Sequence, residues 1–251
     1  MVKIQGVTHR GMVREHNEDR YAGNLLEEHY GYALVCDGMG GENGGSIAST
    51  LACEEIRRTV ENSYRPQLDE KTVYNILETA VANANTIVFA RAGENPELSG
   101  MGTTVSLALL CDEVCYIANV GDSRVYLLRD GTLSQLTVDH THVQTLIDRG
   151  EISPEQARTH PQRHYLTKAV GVAAQVMPFF TQVTLAPNDL LLLCSDGLYG
   201  SLEAEELTTL IARVATGEDC QLLIDEANRR GGHDNITVVT ILTDGEVPCH
   251  G

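Results

Sequence analysis

The chain has 251 residues, 42% hydrophobic and 21% charged, the balance of an ordinary globular protein with one large or two small domains. Its 35 acidic and 18 basic residues give a formal net charge of -17, which repels nucleic acid and anionic membrane. No apolar run approaches the ~18 residues of a membrane helix. The N-terminal MVKIQGVTHRG has no signal-peptide core, so a cytoplasmic protein is expected.

Apolar runs predict strands near 2–8 and 30–36. Two helices follow. Ile47, Leu51, Ala52, Ile56 and Val60 share one face of the first. Val73, Ile76, Leu77, Ala80, Val81, Ala84 and Val88 form the stripe of the second, with Asp69 as its expected N-cap. Further strands are expected near 103–110, 114–120 and 124–129. The stretch 138–175 holds four His and no strong strand, and reads as an inserted surface element, a lid. Strands near 177–185 and 189–194, helices over 203–214 and 218–230, and a strand near 236–242 complete the chain. Strands come in runs and helices in pairs, which favours antiparallel sheets covered by helix pairs over a doubly wound parallel sheet. Seven cysteines form no regular framework, and Cys36 and Cys194 lie inside apolar runs, so reduced, buried thiols are expected.

Four apolar strands end or begin at an aspartate. YGYALVC runs into Asp37-Gly38, VCYIANV into Gly121-Asp122, and DLLLLC into Ser195-Asp196-Gly197; Asp234-Asn235 leads into ITVVTI. A buried carboxylate is costly unless paired or coordinated. Oxygen ligands beside glycines suit Mg²⁺ or Mn²⁺. Asp-Gly is also a favoured hairpin dipeptide, and Asp130-Gly131 and Asp244-Gly245 read as turns of that kind. The dipeptide alone therefore leaves a metal site and turn chemistry both open.

Two more segments bear on the choice. DGMGGENGGS has five glycines in ten residues and opens the first helix, where a backbone can approach a ligand closely. It is neither a Walker A loop nor a GxGxxG fingerprint, since Asn43 stands at the last glycine. RGMVREHNED brings Arg14, Glu18 and Asp19 together beyond the first strand; arginine suits phosphate and carboxylates suit metal. Cys-x5-Arg, HExxH and a complete GxSxG elbow are absent, which leaves nucleophilic routes without support.

The segments RGMVREHNED, DGMGG, GTTVSLALL, NVGDSRVYLLRDG, LTVDHTHV, HPQRHYLTKAVG, LLLCSDGLYG and GGHDNITVV stand in the order of the metal-dependent Ser/Thr protein phosphatases, the type 2C class. The chain resembles the bacterial branch of that family over nearly its whole length. The resemblance implies an α+β fold, a four-layer α/β/β/α sandwich of two antiparallel sheets flanked by pairs of antiparallel helices. It implies one catalytic domain over 1–251, with a flap at about 138–175.

The resemblance also implies two or three Mn²⁺ or Mg²⁺ ions per chain. Asp37 would bridge two metals, with Asp196 and Asp234 completing the first site. The Gly38 carbonyl, Asp19 and Glu18 would serve the second, directly or through water. Asp122 and Asp196 would hold a third, and Arg14 would grip the substrate phosphate. The implied reaction is hydrolysis of phosphoserine and phosphothreonine in proteins by a metal-activated water, without a covalent intermediate. Expected partners are phosphorylated proteins, a bacterial Ser/Thr kinase among them; no nucleic acid or membrane partner and a monomer are expected. Two alternatives share the same fold: a metal phosphoesterase for small metabolites, and a non-catalytic phosphoprotein-binding regulator. Many eukaryotic members carry His where Met39 stands, and some bacterial relatives carry His where Glu42 stands, so the general acid is not identified by the motif.

Overall fold

In chain order the elements are β1 (Val2–His9), β2 (Arg20–Glu27), β3 (Tyr30–Cys36), β4 (Gly38–Met39), α1 (Gly41–Ser63), α2 (Glu70–Glu94), a short 3-10 turn (Pro96–Leu98), β5 (Gly102–Thr103), β6 (Val105–Cys111), β7 (Val114–Val120), β8 (Arg124–Arg129), β9 (Thr132–Gln135), α3 (His142–Asp148), α4 (Pro154–Arg158), β10 (Phe179–Thr184), β11 (Leu190–Cys194), α5 (Asp196–Tyr199), α6 (Ala204–Ala215), α7 (Gln221–Arg229) and β12 (Ile236–Thr243). This is a computed structural model describing residues 1–65 and 67–243, without the side chains of 41–43. The expected turn at Asp244-Gly245 and the Glu42 side chain lie outside the described residues.

Two five-stranded sheets form, in the orders β1-β12-β11-β8-β9 and β10-β7-β6-β3-β2, and a small β4-β5 ladder stands apart. All named pairings are antiparallel. Side chains alternate faces along a strand, so a run apolar at every position must be covered on both sides. β11 shows this directly. Leu191 and Leu193 join Ala33, Val35, Ile117 and Val239 in the core between the sheets. Leu190, Leu192 and Cys194 face outward against Leu207, Ile211, Leu223 and Ile224 of α6 and α7. On the other side, Leu34, Leu107 and Leu109 pack under Ile56, Leu77 and Val81 of α1 and α2. The result is the expected α/β/β/α sandwich.

The expected strands are present, the 103–110 run being split at Thr104 into β5 and β6. Two edge strands, β2 and β9, had no clear sequence signal because they lie half in water: β9 exposes Thr132, Ser134 and Gln135. Asp69 caps α2 by accepting from the Thr72 N–H at 2.7 Å. The helix expected from 218 starts at Gln221, whose N–H is taken by the Asp219 carboxylate at 2.8 Å. Asp130 and Gly131 both adopt positive φ (50° and 75°), so this pair is the β8–β9 hairpin turn. The six cysteines within the described residues are free and buried. Among the described residues no helix is long and apolar enough to cross a membrane.

Candidate metal centre

Antiparallel register decides where the aspartates go. Val35 pairs with Ser106 and Val120 with Val105, so β3 and β7 end side by side across β6. Cys194 pairs with Val238, so the end of β11 meets the start of β12. Asp37, Asp122, Asp196 and Asp234 stand just beyond those ends, and Asp19 immediately precedes β2. They feel one another's charge. The Asp37 carboxyl is held well above the usual range, first by burial and then by Asp19, Asp196, Asp122 and Asp234. Asp122 is raised in the same way by burial, Asp196 and Asp139, with Arg124 opposing. The structure brings together the five aspartates that the sequence singled out.

Asp19 is the most enclosed, 1% exposed. Its Oδ2 accepts from the hydroxyls of Ser195 and Thr237, each at 2.7 Å. Its Oδ1 is buried with no hydrogen-bond partner. Burial, outweighing the two hydroxyls, pushes the carboxyl up to about 7, with Asp196 and Asp234 adding to the rise. Thr237 also donates its N–H to the Ser195 oxygen at 3.0 Å, so β11 and β12 hold the pair as one unit.

Asn235 ties the loop before β2 to this unit. Its Oδ1 accepts from the Glu18 N–H at 2.7 Å, and its Nδ2 donates to the carbonyls of Arg10 and His16, both at 2.9 Å. Glu18 is raised chiefly by burial. Arg14 reaches Asp234 Oδ2 at 2.8 Å, while the Asn235 N–H takes Oδ1 at 2.8 Å. Ser195, Thr237 and Asn235 were not singled out as site residues. The available signal was polar residues that adjoin or follow the aspartates where apolar strands end.

Main-chain bonds fix Asp37. Its carbonyl accepts from the Thr104 N–H at 2.8 Å and the Thr103 hydroxyl at 2.9 Å, and its N–H donates to Thr104 Oγ1 at 2.9 Å. Gly38 must be glycine, because a Cβ there would lie 2.1 Å from the Gly45 carbonyl oxygen.

On the far side begins the segment 138–175, the expected flap. The Asp122 carbonyl accepts from the Tyr199 hydroxyl at 2.9 Å, and the Arg124 guanidinium stacks 3.7 Å over the Tyr199 ring. Arg124 also grips Asp139 with Nε and Nη2. The His140 N–H donates to the Gly121 carbonyl at 2.9 Å, and the Gly121 N–H donates to His140 Nδ1 at 3.1 Å. Burial and the nearby Lys168 lower His140 to about 4, so it is neutral. His164, from the same segment, places Nδ1 3.5 Å from Asp196 Oδ2.

Among the described residues, no three His, Cys, Asp or Glu side chains stand close enough to hold an ion as they are. A hydrated Mg²⁺-like ion would reach such carboxylates partly through its own waters. The unpartnered, buried Asp19 oxygen, close enough to Asp196 and Asp234 to feel their charge, is the ligand atom such a cation would satisfy. The oxygen-only donor set fits a hard divalent ion.

Residues 6–223 match the family described as Protein phosphatase 2C. The serine/threonine protein phosphatase PstP of Mycobacterium tuberculosis is 38% identical over 231 residues. That alignment covers 92% of this chain and 43% of the relative, so the chain spans less than half of that protein. The serine/threonine phosphatase stp of Listeria monocytogenes is 36% identical over 243 residues, 94% of each chain. A crystal structure of the catalytic domain of serine threonine protein phosphatase PstP in complex with 2 manganese ions superposes with a TM-score of 0.84 at 34% identity, covering 97% of this chain and 99% of that one. With these aspartates gathered at the rim of the same two-sheet sandwich, the chain belongs to the protein phosphatase 2C family.

Proposed function

We propose that the chain hydrolyses phosphoserine and phosphothreonine in proteins, using two or three divalent ions, Mn²⁺ or Mg²⁺. The observation that carries this reading is the buried, unpartnered Asp19 oxygen, in a carboxyl raised by burial and by the charges of Asp196 and Asp234. Family membership supports it, as does a relative solved with 2 manganese ions.

In this reading Asp37, Asp196 and Asp234 would hold the first ion. Asp37, the Gly38 carbonyl, Asp19 and Glu18 would serve the second, directly or through water, and Asp122 with Asp196 would serve a third. When bound, the ions supply an activated water near neutral pH and neutralise phosphate charge. The protein's own part is placement. Ser195, Thr237 and Asn235 fix the carboxylates before substrate arrives. Arg14, half in solvent, swings from Asp234 to take equatorial phosphate oxygens. No His stands at Met39 to donate a proton to the leaving group.

We read the chain as a single catalytic domain with residues 138–175 as its flap, monomeric and cytoplasmic. Its substrates would be phosphoproteins, a bacterial Ser/Thr kinase among them; its bacterial relatives support that setting. EDTA should abolish hydrolysis of p-nitrophenyl phosphate and of a phosphothreonine peptide, and excess Mn²⁺ should restore both. Asp37→Ala and Asp196→Ala should be nearly inactive. Full activity in EDTA would refute the metal mechanism.

A further inference from the structure

Asn85 lies on the apolar stripe of α2, between Ala84 and Val88, and is 2% exposed. A buried amide is retained where its hydrogen bonds are met. Here every partner is main chain of one distant segment. Nδ2 donates to the carbonyls of Ala173 at 3.0 Å and Ala174 at 3.2 Å, and Oδ1 accepts from the Gly171 N–H at 2.8 Å. The fit is close. Gly171 has φ +91°, and a Cβ there would lie 2.1 Å from Cγ1 of Val88 on the same helix.

Residues 171–174 are where the flap returns to the body of the protein. The residue before them, Val170, exchanges both main-chain hydrogen bonds with Thr103, at 3.0 and 2.9 Å. The Thr103 hydroxyl in turn donates to the Asp37 carbonyl at 2.9 Å. Three hydrogen-bonded contacts, joined by the Val170–Gly171 peptide, therefore run from a helix on the outer layer to Asp37 in the carboxylate cluster.

We infer that Asn85 is a positioning residue: it clamps the flap exit to α2 and, through Val170 and Thr103, holds the main chain of Asp37. Its influence on metal rests on the proposed reading of Asp37 as a ligand; its grip on the flap does not. An amide side chain suits the task because it offers two donors and an acceptor on one rigid plane, matching two carbonyls and one N–H. Partners one step removed from a metal ligand set that ligand's orientation and hence affinity.

The test compares wild type with Asn85→Ala, Thr103→Val and Asp69→Ala. Asp69→Ala removes the N-cap of the same helix and controls for plain loss of stability. Amide hydrogen exchange is read on metal-free protein, and Mn²⁺ binding by titration calorimetry. In Asn85→Ala, the amides of Val170, Gly171 and Thr103 should exchange about tenfold faster or more than in Asp69→Ala. Its Mn²⁺ affinity should fall roughly 10–100-fold. Thr103→Val keeps the main-chain pairing and removes only the hydroxyl on Asp37, so exchange at Val170 and Gly171 should stay at the wild-type rate while Mn²⁺ binding weakens. Asn85→Leu, which keeps the bulk of the side chain and removes all three hydrogen bonds, takes its place in every comparison if Asn85→Ala does not fold. The clamp is overturned if Asn85→Ala matches Asp69→Ala in both readouts. The link to Asp37 is overturned if Asn85→Ala loosens only 171–174 with unchanged Mn²⁺ affinity, or if Thr103→Val binds Mn²⁺ as wild type does. A wild-type protein that binds no Mn²⁺ sinks the metal reading, and exchange at Val170 and Thr103 then still decides the clamp.

Discussion

Ser195 donates its hydroxyl to one oxygen of Asp19 at 2.7 Å, while the other oxygen of Asp19 is buried without a partner. The carboxyl is consequently pushed up to about 7, mainly by burial. An unfolded aspartate titrates near ~3.9. Between roughly pH 4 and 7 the folded chain holds a proton that the unfolded chain has released, so stability falls as pH rises through that window. The contribution is fully present below the unfolded value and lost above the folded one. Asp37 and Asp122 are raised too and act in the same direction. In EDTA, the melting temperature should therefore fall as pH rises from about 5 to about 8. Asp19→Asn keeps an oxygen for Ser195 and Thr237 and should flatten the slope. Calorimetry showing the same slope in both proteins would count against the charged cluster.

Arg14 and Asp234 are 53% and 38% exposed along their side chains, so their 2.8 Å ion pair adds little to stability. A hydrogen bond to a charged phosphate contributes about 1.5–3 kcal/mol. Arg14→Ala should raise KM for a phosphothreonine peptide roughly 10–100-fold while keeping the melting temperature near wild type. Arg14→Lys should recover part of the loss, lacking the planar fork. A wild-type KM in Arg14→Ala would remove the residue from phosphate binding.

Much of this arrangement was legible in the chain, for a physical reason. A strand covered on both faces, such as β11, is apolar at every position, and that leaves a plain run ending at a polar residue. Asp37, Asp122, Asp196 and Asp234 therefore announced themselves. Supporting residues did not. Thr237 is fully buried within ITVVTI, yet a threonine in a strand reads as an ordinary strand former. Its partner Asp19 is a neighbour only after β1 and β12 have paired. Asn85 interrupts an apolar helical stripe, which marks it as unusual, but its partners lie more than 80 residues on, at Gly171, Ala173 and Ala174, and no local pattern names them.

Asn235 offers the third prediction. It is 6% exposed and makes three bonds to main chain, at Glu18, Arg10 and His16. Arg10 and His16 are exposed and Glu18 is half-buried, so water replaces part of what is lost and each bond contributes about 0.5–1.5 kcal/mol. Asn235→Ala should lower unfolding free energy by roughly 2–3 kcal/mol in urea. It should also weaken Mn²⁺ binding, because Glu18 and Asp19 lose their anchor. Asn235→Asp can still accept from Glu18 but cannot donate, and should fall between the two. An Asn235→Ala protein as stable as wild type would show that β12 does not hold this loop.

Glycine placement gives the last prediction, because two glycines in one chain should respond oppositely to the same change. A Cβ at Gly38 would lie 2.1 Å from the Gly45 carbonyl oxygen and 2.7 Å from that of Glu18. Both are main-chain atoms and cannot rotate away, so β4 must separate from the start of α1. Such overpacking costs about 1–3 kcal/mol. It also moves the Gly38 carbonyl and Glu18, so Gly38→Ala should lose most of its kcat even in saturating Mn²⁺. Gly93 lies in α2 with nothing within 4 Å of an added Cβ. Gly93→Ala should stabilise the helix by roughly 0.5–1 kcal/mol and leave kcat unchanged. Urea unfolding and turnover of a phosphothreonine peptide separate the two. If Gly38→Ala were as active as Gly93→Ala, the close approach of Gly38 to Gly45 and Glu18 would not be what shapes the site.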